Sequence, residues 1–180
     1  DLPDTRKIYE SNPETPVEHY INEELFNKRI KMIAEPKINF IIEVLNSDVS
    51  NEKWLDIGCG TGEILMAAKA QGFDAYGIES DEREVTFGTV KGLNIKQAFI
   101  SPETKDKEII ELIKEADIVS LYNLLEHIEN PKGFMEFVKE NMKLGAKLVI
   151  EVPHTPSLAE FVNLTFPMIT YRHLTAPQHL

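Results

Sequence analysis

Eight residues constrain this chain more than any others: Leu55-Asp56-Ile57-Gly58-Cys59-Gly60-Thr61-Gly62. An apolar run ends at Ile57 and a helical pattern opens at Glu63-Ile64-Leu65, so three alternate glycines occupy a strand-to-helix turn. Glycines there let the backbone turn tightly and let a ligand lie against bare amides at a helix N-terminus. The flanking residues narrow the choice of ligand. A phosphate-binding P-loop needs Lys and then Ser or Thr after its last glycine, and here Glu63 and Ile64 stand in those places. A dinucleotide fingerprint is G-x-G-x-x-G, whereas this loop is G-x-G-x-G, one residue tighter. Asp56 before the loop and Glu63 after it would set two carboxylates against a pyrophosphate; they suit a ligand carrying positive charge.

The rest of the chain supplies a setting for such a loop. Short apolar runs at 54–57, 75–78, 96–100, 117–121 and 147–152 have the length and β-branched content of buried parallel strands, and helical patterns separate them. Ser101-Pro102 and Asn130-Pro131 read as N-caps with proline in the first helical position, and Gly92 and Gly145 sit where helices end. Residues 103–115 mix acidic and basic side chains around Ile109, Ile110, Leu112 and Ile113, the pattern of a solvated amphipathic helix. Five β units joined by helices predict an α/β, doubly wound parallel sheet with helices on both faces. Residues 47–153 form this core. Residues 1–20, with Pro3, Pro13 and Pro16, read as an irregular arm. Residues 21–46 form a helical lead-in that Pro36 is expected to break into two pieces, and it is a candidate lid.

Composition excludes several classes. The 180 residues carry 19 basic against 30 acidic side chains, a formal charge of −11, with no basic stripe to neutralise a phosphate backbone. Nucleic acid is therefore not an expected partner. No run of roughly 18 apolar residues predicts a membrane span, and no apolar segment follows a basic N-terminus. One cysteine cannot form an internal disulfide, which suits a reducing, cytoplasmic setting. No histidine pairs with Asp, Glu or Cys at zinc-like spacing, so no metal is expected.

The loop resembles motif I of the Rossmann-like (class I) S-adenosylmethionine-dependent methyltransferases, an acidic residue followed by x-G-x-G-x-G. The second strand ends Gly77-Ile78-Glu79, seventeen residues past Gly62, where an acidic residue of that family binds both ribose hydroxyls. Further likeness to the small-molecule members runs from Ala116 through Tyr122-Asn123-Leu124-Leu125-Glu126-His127 to Pro131, and from Leu144 to Pro153. It recurs in Arg172-His173-Leu174 and Gln178-His179-Leu180. The resemblance implies strand order 3-2-1-4-5, S-adenosyl-L-methionine as cofactor and a small-molecule acceptor methylated on oxygen, carbon or nitrogen. The third strand, ending Phe99-Ile100-Ser101, lacks the acid that often meets the adenine amine.

On that reading Asp56 orients the methionine ammonium, Gly58, Cys59, Gly60 and Gly62 give close backbone approach, and Glu79 takes the ribose. Ser80 and Asp81 flank the adenosine, with Asp81 equally placed to cap the next helix. Tyr122 and Asn123 lie at a strand end where open α/β sheets place ligand contacts. Cys59 is read as a small side chain tolerated between glycines. Where the acceptor must lose a proton, His127, His154 and His173 are the candidate bases. Residues 154–180 are read as a partial acceptor-side segment in which Phe161, Phe166, Tyr171 and His173 form an aromatic pocket. The four prolines between Pro153 and Leu180 leave no convincing pair for the family's sixth and seventh strands. The chain is thus expected to be a fragment, with strand five unpaired at its outer edge or contacting a partner there, a homodimer included. The competing readings are a cofactor-binding module without turnover and an NAD(P)-dependent oxidoreductase.

Overall fold

A computed structural model describes residues 21–46 and 49–153. The chain enters through α1 (Glu23–Arg29), capped by the Asn22 side chain, which accepts from the Leu25 amide at 3.0 Å. A π-helical turn (Ile30–Ala34) leads directly into α2 (Glu35–Leu45). Pro36 therefore does not break this segment into two pieces, as its sequence suggested. Proline has no N–H to give and crowds the carbonyl one turn back. The helix instead widens just before it: the Glu35 amide reaches back five residues to the Ile30 carbonyl, and Pro36 occupies the first turn of α2. Asn46, in the left-handed conformation with φ 47°, closes α2.

Five parallel strands follow: β1 (Lys53–Ile57), β2 (Asp74–Glu79), β3 (Asn94–Gln97), β4 (Ile118–Tyr122) and β5 (Lys147–Glu151). They form one sheet in the order β3-β2-β1-β4-β5. The helices between them are α3 (Glu63–Ala70), α4 (Glu82–Val90), α5 (Lys107–Glu115) and α6 (Pro131–Asn141), with a 3-10 turn (Leu125–His127) after β4. Such a sheet buries both faces, and β1 and β4 are buried almost throughout. One core layer joins Phe26, Ala34 and Ile38 of the lead-in helices to Trp54, Leu65, Ala68 and Ile118. The other joins Leu55, Ile57, Ile78, Val119 and Leu121 to Ile109, Ile113, Phe134 and Val138. Registers Asp56 with Gly77 and Ser120, Glu79 with Gln97, and Tyr122 with Glu151 bring all five carboxyl ends to one edge.

Two local expectations shift. The third strand runs 94–97 rather than 96–100, because its sole neighbour β2 stops at Glu79; the Ala98 amide makes the last bond, to the Glu79 carbonyl at 2.8 Å. Ile100 then turns into the second core layer. Ser101-Pro102 does not begin a helix. The Thr104 amide donates to the Ser101 carbonyl in a turn, and α5 starts later, capped by Asp106, which accepts from the Glu108 amide at 2.8 Å. Asn130 does cap α6, accepting from the Gly133 amide at 3.0 Å. Among the described residues nothing pairs with the outer edge of β5. The expectations placed on 1–20 and 154–180, including His154, His173 and the sixth and seventh strands, lie outside the described residues.

Candidate functional site

Asp56 ends β1 inside the protein, 2% exposed. Its position is set from β4: the Trp54 indole N–H donates to Ser120 Oγ at 2.8 Å, and the Ser120 hydroxyl donates to Asp56 Oδ1 at 2.6 Å. Burial pushes the Asp56 carboxyl up to about 7, against the lowering effect of the Ser120 hydrogen bond. A buried, oriented carboxyl of this kind is held ready for a cationic or hydrogen-bond-donating partner.

Above it the loop is made by three left-handed glycines, Gly58, Gly60 and Gly62, at φ 74°, 54° and 92°. The Gly58 and Cys59 amides both donate to the Ile78 carbonyl, at 2.8 and 3.2 Å, which ties the loop to β2. A Cβ at Gly58 would lie 2.9 Å from Leu124 Cδ1, and one at Gly62 would collide with the Leu93 side chain. Cys59 points its sulfur inward, where a Cβ at Gly77 would be 2.5 Å from it. Burial pushes its thiol well up, so Cys59 serves packing and offers a ligand only backbone.

Glu79 closes the far side of the loop. It accepts from the Gly60 amide at 3.0 Å, from the Ser80 amide at 2.6 Å and hydroxyl at 3.1 Å, and from the Asp81 amide at 3.0 Å. Asp81 also caps α4, accepting from the Arg83 amide at 2.8 Å. Arg83 forks onto it, and these hydrogen bonds hold its carboxyl below the usual range. Glu84, in the first turn of α4, has its carboxyl oxygens 3.8 and 4.0 Å from where a Cβ at Gly60 would stand.

The lead-in helices reach the site at two points. Arg29, the last residue of α1, donates through Nε to Glu63 at 2.5 Å and through Nη2 to Thr61 Oγ1 at 3.3 Å. Lys37 of α2 donates to Glu151 Oε1 at 2.6 Å and lies 4.7 Å above the Tyr122 ring. The π-turn lies between these two contacts, and such turns are frequent at functional sites. Asn123, left-handed at φ 51°, donates from its amide to the Glu151 carbonyl at 2.8 Å. Among the described residues the Tyr122 hydroxyl is buried without a hydrogen-bond partner, and burial followed by the Asp56 and Glu151 charges drives its pKa upward. Both carboxyl oxygens of Glu126, in the 3-10 turn, are buried and have no partner among the described residues either.

The structure thus brings Asp56, Gly58, Gly60, Gly62, Glu79 and Ser80 together, sets Tyr122 and Asn123 at the neighbouring strand end, and leaves His127 half-buried in the turn that follows. Trp54, Ser120, Arg29, Lys37 and Glu84 were not legible as site residues, because their partners lie far away in sequence. Glu63 also changes meaning. Arg29 neutralises it, so the preference for positive charge rests on Asp56 and Glu79. Among the described residues no group of three metal-ligating side chains converges, and no helix is long and apolar enough to cross a membrane.

Comparison with known proteins agrees with this geometry. The ubiquinone biosynthesis O-methyltransferase of Rickettsia bellii (strain OSU 85-389) is 28% identical over 125 residues, covering 66% of this chain and 51% of its own length. The mitochondrial enzyme of the same name from Schizosaccharomyces pombe is 24% identical over 148 residues, covering 77% and 52%. The chain therefore spans about half the length of these relatives. Among solved structures, a SAM-dependent methyltransferase from Archaeoglobus fulgidus superposes with a TM-score of 0.57 at 23% identity, covering 86% of this chain and 65% of that one. Magnesium protoporphyrin IX methyltransferase from Synechocystis PCC 6803, solved with bound SAM, gives 0.56 at 15% identity, covering 79% and 73%. At these identities the likeness carries the Rossmann-like fold. A methyltransferase-domain family model matches residues 21–179, and this chain belongs to that family.

Proposed function

We propose that this protein is an S-adenosylmethionine-dependent methyltransferase acting on a small-molecule acceptor, with oxygen as the methylated atom. The observation that carries the reading is the pairing of two carboxyls across one three-glycine loop: Asp56, buried and aimed by Ser120, and Glu79, bound to the Gly60 amide. Neither has a phosphate to meet, and a cofactor with an ammonium, a sulfonium and a ribose diol suits both. The relatives' name supplies the preference for oxygen.

When bound, the cofactor supplies an electrophilic methyl group on a positively charged sulfur. Asp56, with the buried Tyr122 hydroxyl at the end of the neighbouring strand β4, would hold the ammonium end. Glu79 holds the ribose, and Ser80 borders the adenosine. Arg29 fastens α1 to the loop through Glu63 and Thr61, and Lys37 fastens α2 to the ends of β4 and β5 through Tyr122 and Glu151. Holding the acceptor oxygen in line with the methyl group is the main catalytic contribution of such a site. His127 is the described candidate for removing the acceptor's proton. The single buried thiol suits a cytoplasmic setting, and the edge of β5 that is unpaired among the described residues is where a second copy would add.

Isothermal titration tests the reading directly. S-adenosylhomocysteine should bind at roughly micromolar concentration, and NAD(P) should not bind. Saturable NAD(P) binding with no response to S-adenosylhomocysteine would replace this function with the oxidoreductase alternative.

A further inference from the structure

Helix α4 meets the glycine loop backbone to backbone. A Cβ at Gly88 would lie 3.0 Å from the Thr61 carbonyl oxygen and would collide with Ile95, so no larger residue allows this approach. Glu84 lies one turn nearer the N-terminus of the same helix. The close packing at Gly88 therefore delivers the Glu84 carboxyl to Gly60, the residue whose amide is bound by Glu79. Two carboxyls from different elements thus converge on one loop residue, and they are not equivalent. Glu79 accepts in each of its four contacts. Neither oxygen of Glu84 takes a hydrogen bond among the described residues.

A ribose diol brings two O–H donors and two oxygen acceptors. Two charged carboxylates would compete for the same two donors and repel each other. One accepting carboxylate and one neutral, donating carboxyl complement the diol completely. On the reading that Glu79 meets the ribose, we propose that Glu84 is a specificity-determining residue for the cofactor, donating a hydrogen bond to a ribose oxygen beside the accepting Glu79. The electrostatic setting fits this role. Glu79 at the end of β2, Asp81 at the cap of α4 and Glu63 at the head of α3 face Glu84 with negative charge, and Arg83 on its own helix opposes them. Burial, then those charges, pushes Glu84 up to about 8.

The test uses 5′-methylthioadenosine, which keeps the ribose and lacks the amino-acid half that Asp56 would read. Titration calorimetry on the full chain should show Glu84→Leu binding it about tenfold more weakly than wild type at neutral pH. Glu84→Gln, which keeps a donor and cannot ionise, should stay within about threefold. Between about pH 7 and pH 9 the wild type should lose about tenfold in affinity as the donor proton leaves, and Glu84→Gln should hold level. Wild type and Glu84→Leu should bind 2′,3′-dideoxyadenosine equally. Wild-type affinity in Glu84→Leu, the wild-type pH slope in Glu84→Gln, or a tenfold gap on the dideoxy probe each overturns the proposal. If the wild type binds S-adenosylhomocysteine but Glu84→Leu changes nothing, Glu84 alone is misassigned. If it binds neither nucleoside, the cofactor reading itself fails. Glu84→Gln, close in shape and uncharged, should melt no lower than wild type, which separates loss of a contact from loss of the fold.

Discussion

Among the described residues, polar groups at the carboxyl ends of β1 and β2 are mostly tied down, whereas at the ends of β4 and β5 Glu151 is held by Lys37 and Asn123 but other polar groups are buried without partners. On the first side Asp56 is fixed by Ser120, Glu79 collects four donors, and Thr61 and Glu63 share Arg29. On the second, the Tyr122 hydroxyl and both oxygens of Glu126 are buried without partners, and Ile150 and Val152 remain 44% and 49% exposed. A buried polar group left unpaired costs about 1–3 kcal/mol. Among the described residues the first side is therefore preorganised, and the second holds hydrogen-bonding capacity that its own groups leave unused.

Four tests sharpen or break this contrast. The largest effect falls on the loop: Gly62→Val puts a β-branched residue at φ 92° and into Leu93, and thermal denaturation should show a loss of about 3–5 kcal/mol. Gly145→Val on the second side, at φ 87° with no atom within 4 Å of its Cβ position, should cost no more than about 2 kcal/mol. Comparable losses at the two glycines would erase the distinction.

Next is pH. The Asp56 carboxyl, near 7 in the folded protein against an ordinary 3.8, keeps a proton that the unfolded chain releases. Its contribution to stability is complete below about pH 4 and is lost as pH rises through 7, a decline of about 4 kcal/mol at most. Glu84, raised to about 8, acts in the same direction. Denaturant titration of the ligand-free protein should show stability falling from pH 5 to pH 8, and Asp56→Asn should flatten much of that slope. A slope unchanged in Asp56→Asn would mean that the carboxyl is not held neutral.

Glu79→Ala should weaken S-adenosylhomocysteine about a hundredfold by calorimetry, as it removes the ribose acceptor and frees the Gly60 amide. Asn123→Ala, whose side chain reaches only Glu151, at 3.5 Å, should change that affinity less than about threefold. The smallest effect has opposite signs in two assays. Tyr122→Phe removes an unpartnered buried hydroxyl, so the ligand-free protein should gain about 1 kcal/mol, while S-adenosylhomocysteine binds several-fold more weakly. A stability loss would show that the hydroxyl already has a partner in the free protein.

The legible parts of this protein were those with short-range causes. Alternate glycines between an apolar strand and a helix announce a tight ligand-facing turn, and the acid at position 79 follows from its distance to Gly62. Asn130-Pro131 and Asp81 act as caps through contacts within three residues. Errors arose where a local signal competed with a distant one. Ser101-Pro102 carries a cap signal, but Asp106 is the residue that meets the helix, and β3 ends where β2 ends rather than where its own apolar run stops. Pro36 marks a disturbance in the lead-in helix without revealing that a π-turn absorbs it.

By itself the amino-acid sequence determined the doubly wound parallel sheet, the loop and the sign of charge its ligand should carry, because hydrophobic period, glycine conformation and carboxylate spacing act over a few residues. Only the tertiary structure decided which carboxyl does what. Asp56 is buried and oriented because Ser120 stands beside it on the adjacent strand, itself held by Trp54. Glu63 is neutralised by a helix 34 residues upstream, and Glu84 reaches the loop because Gly88 lets α4 approach. Hydrogen bonding and desolvation depend on what surrounds a group in space, and those neighbours come together only when the chain folds.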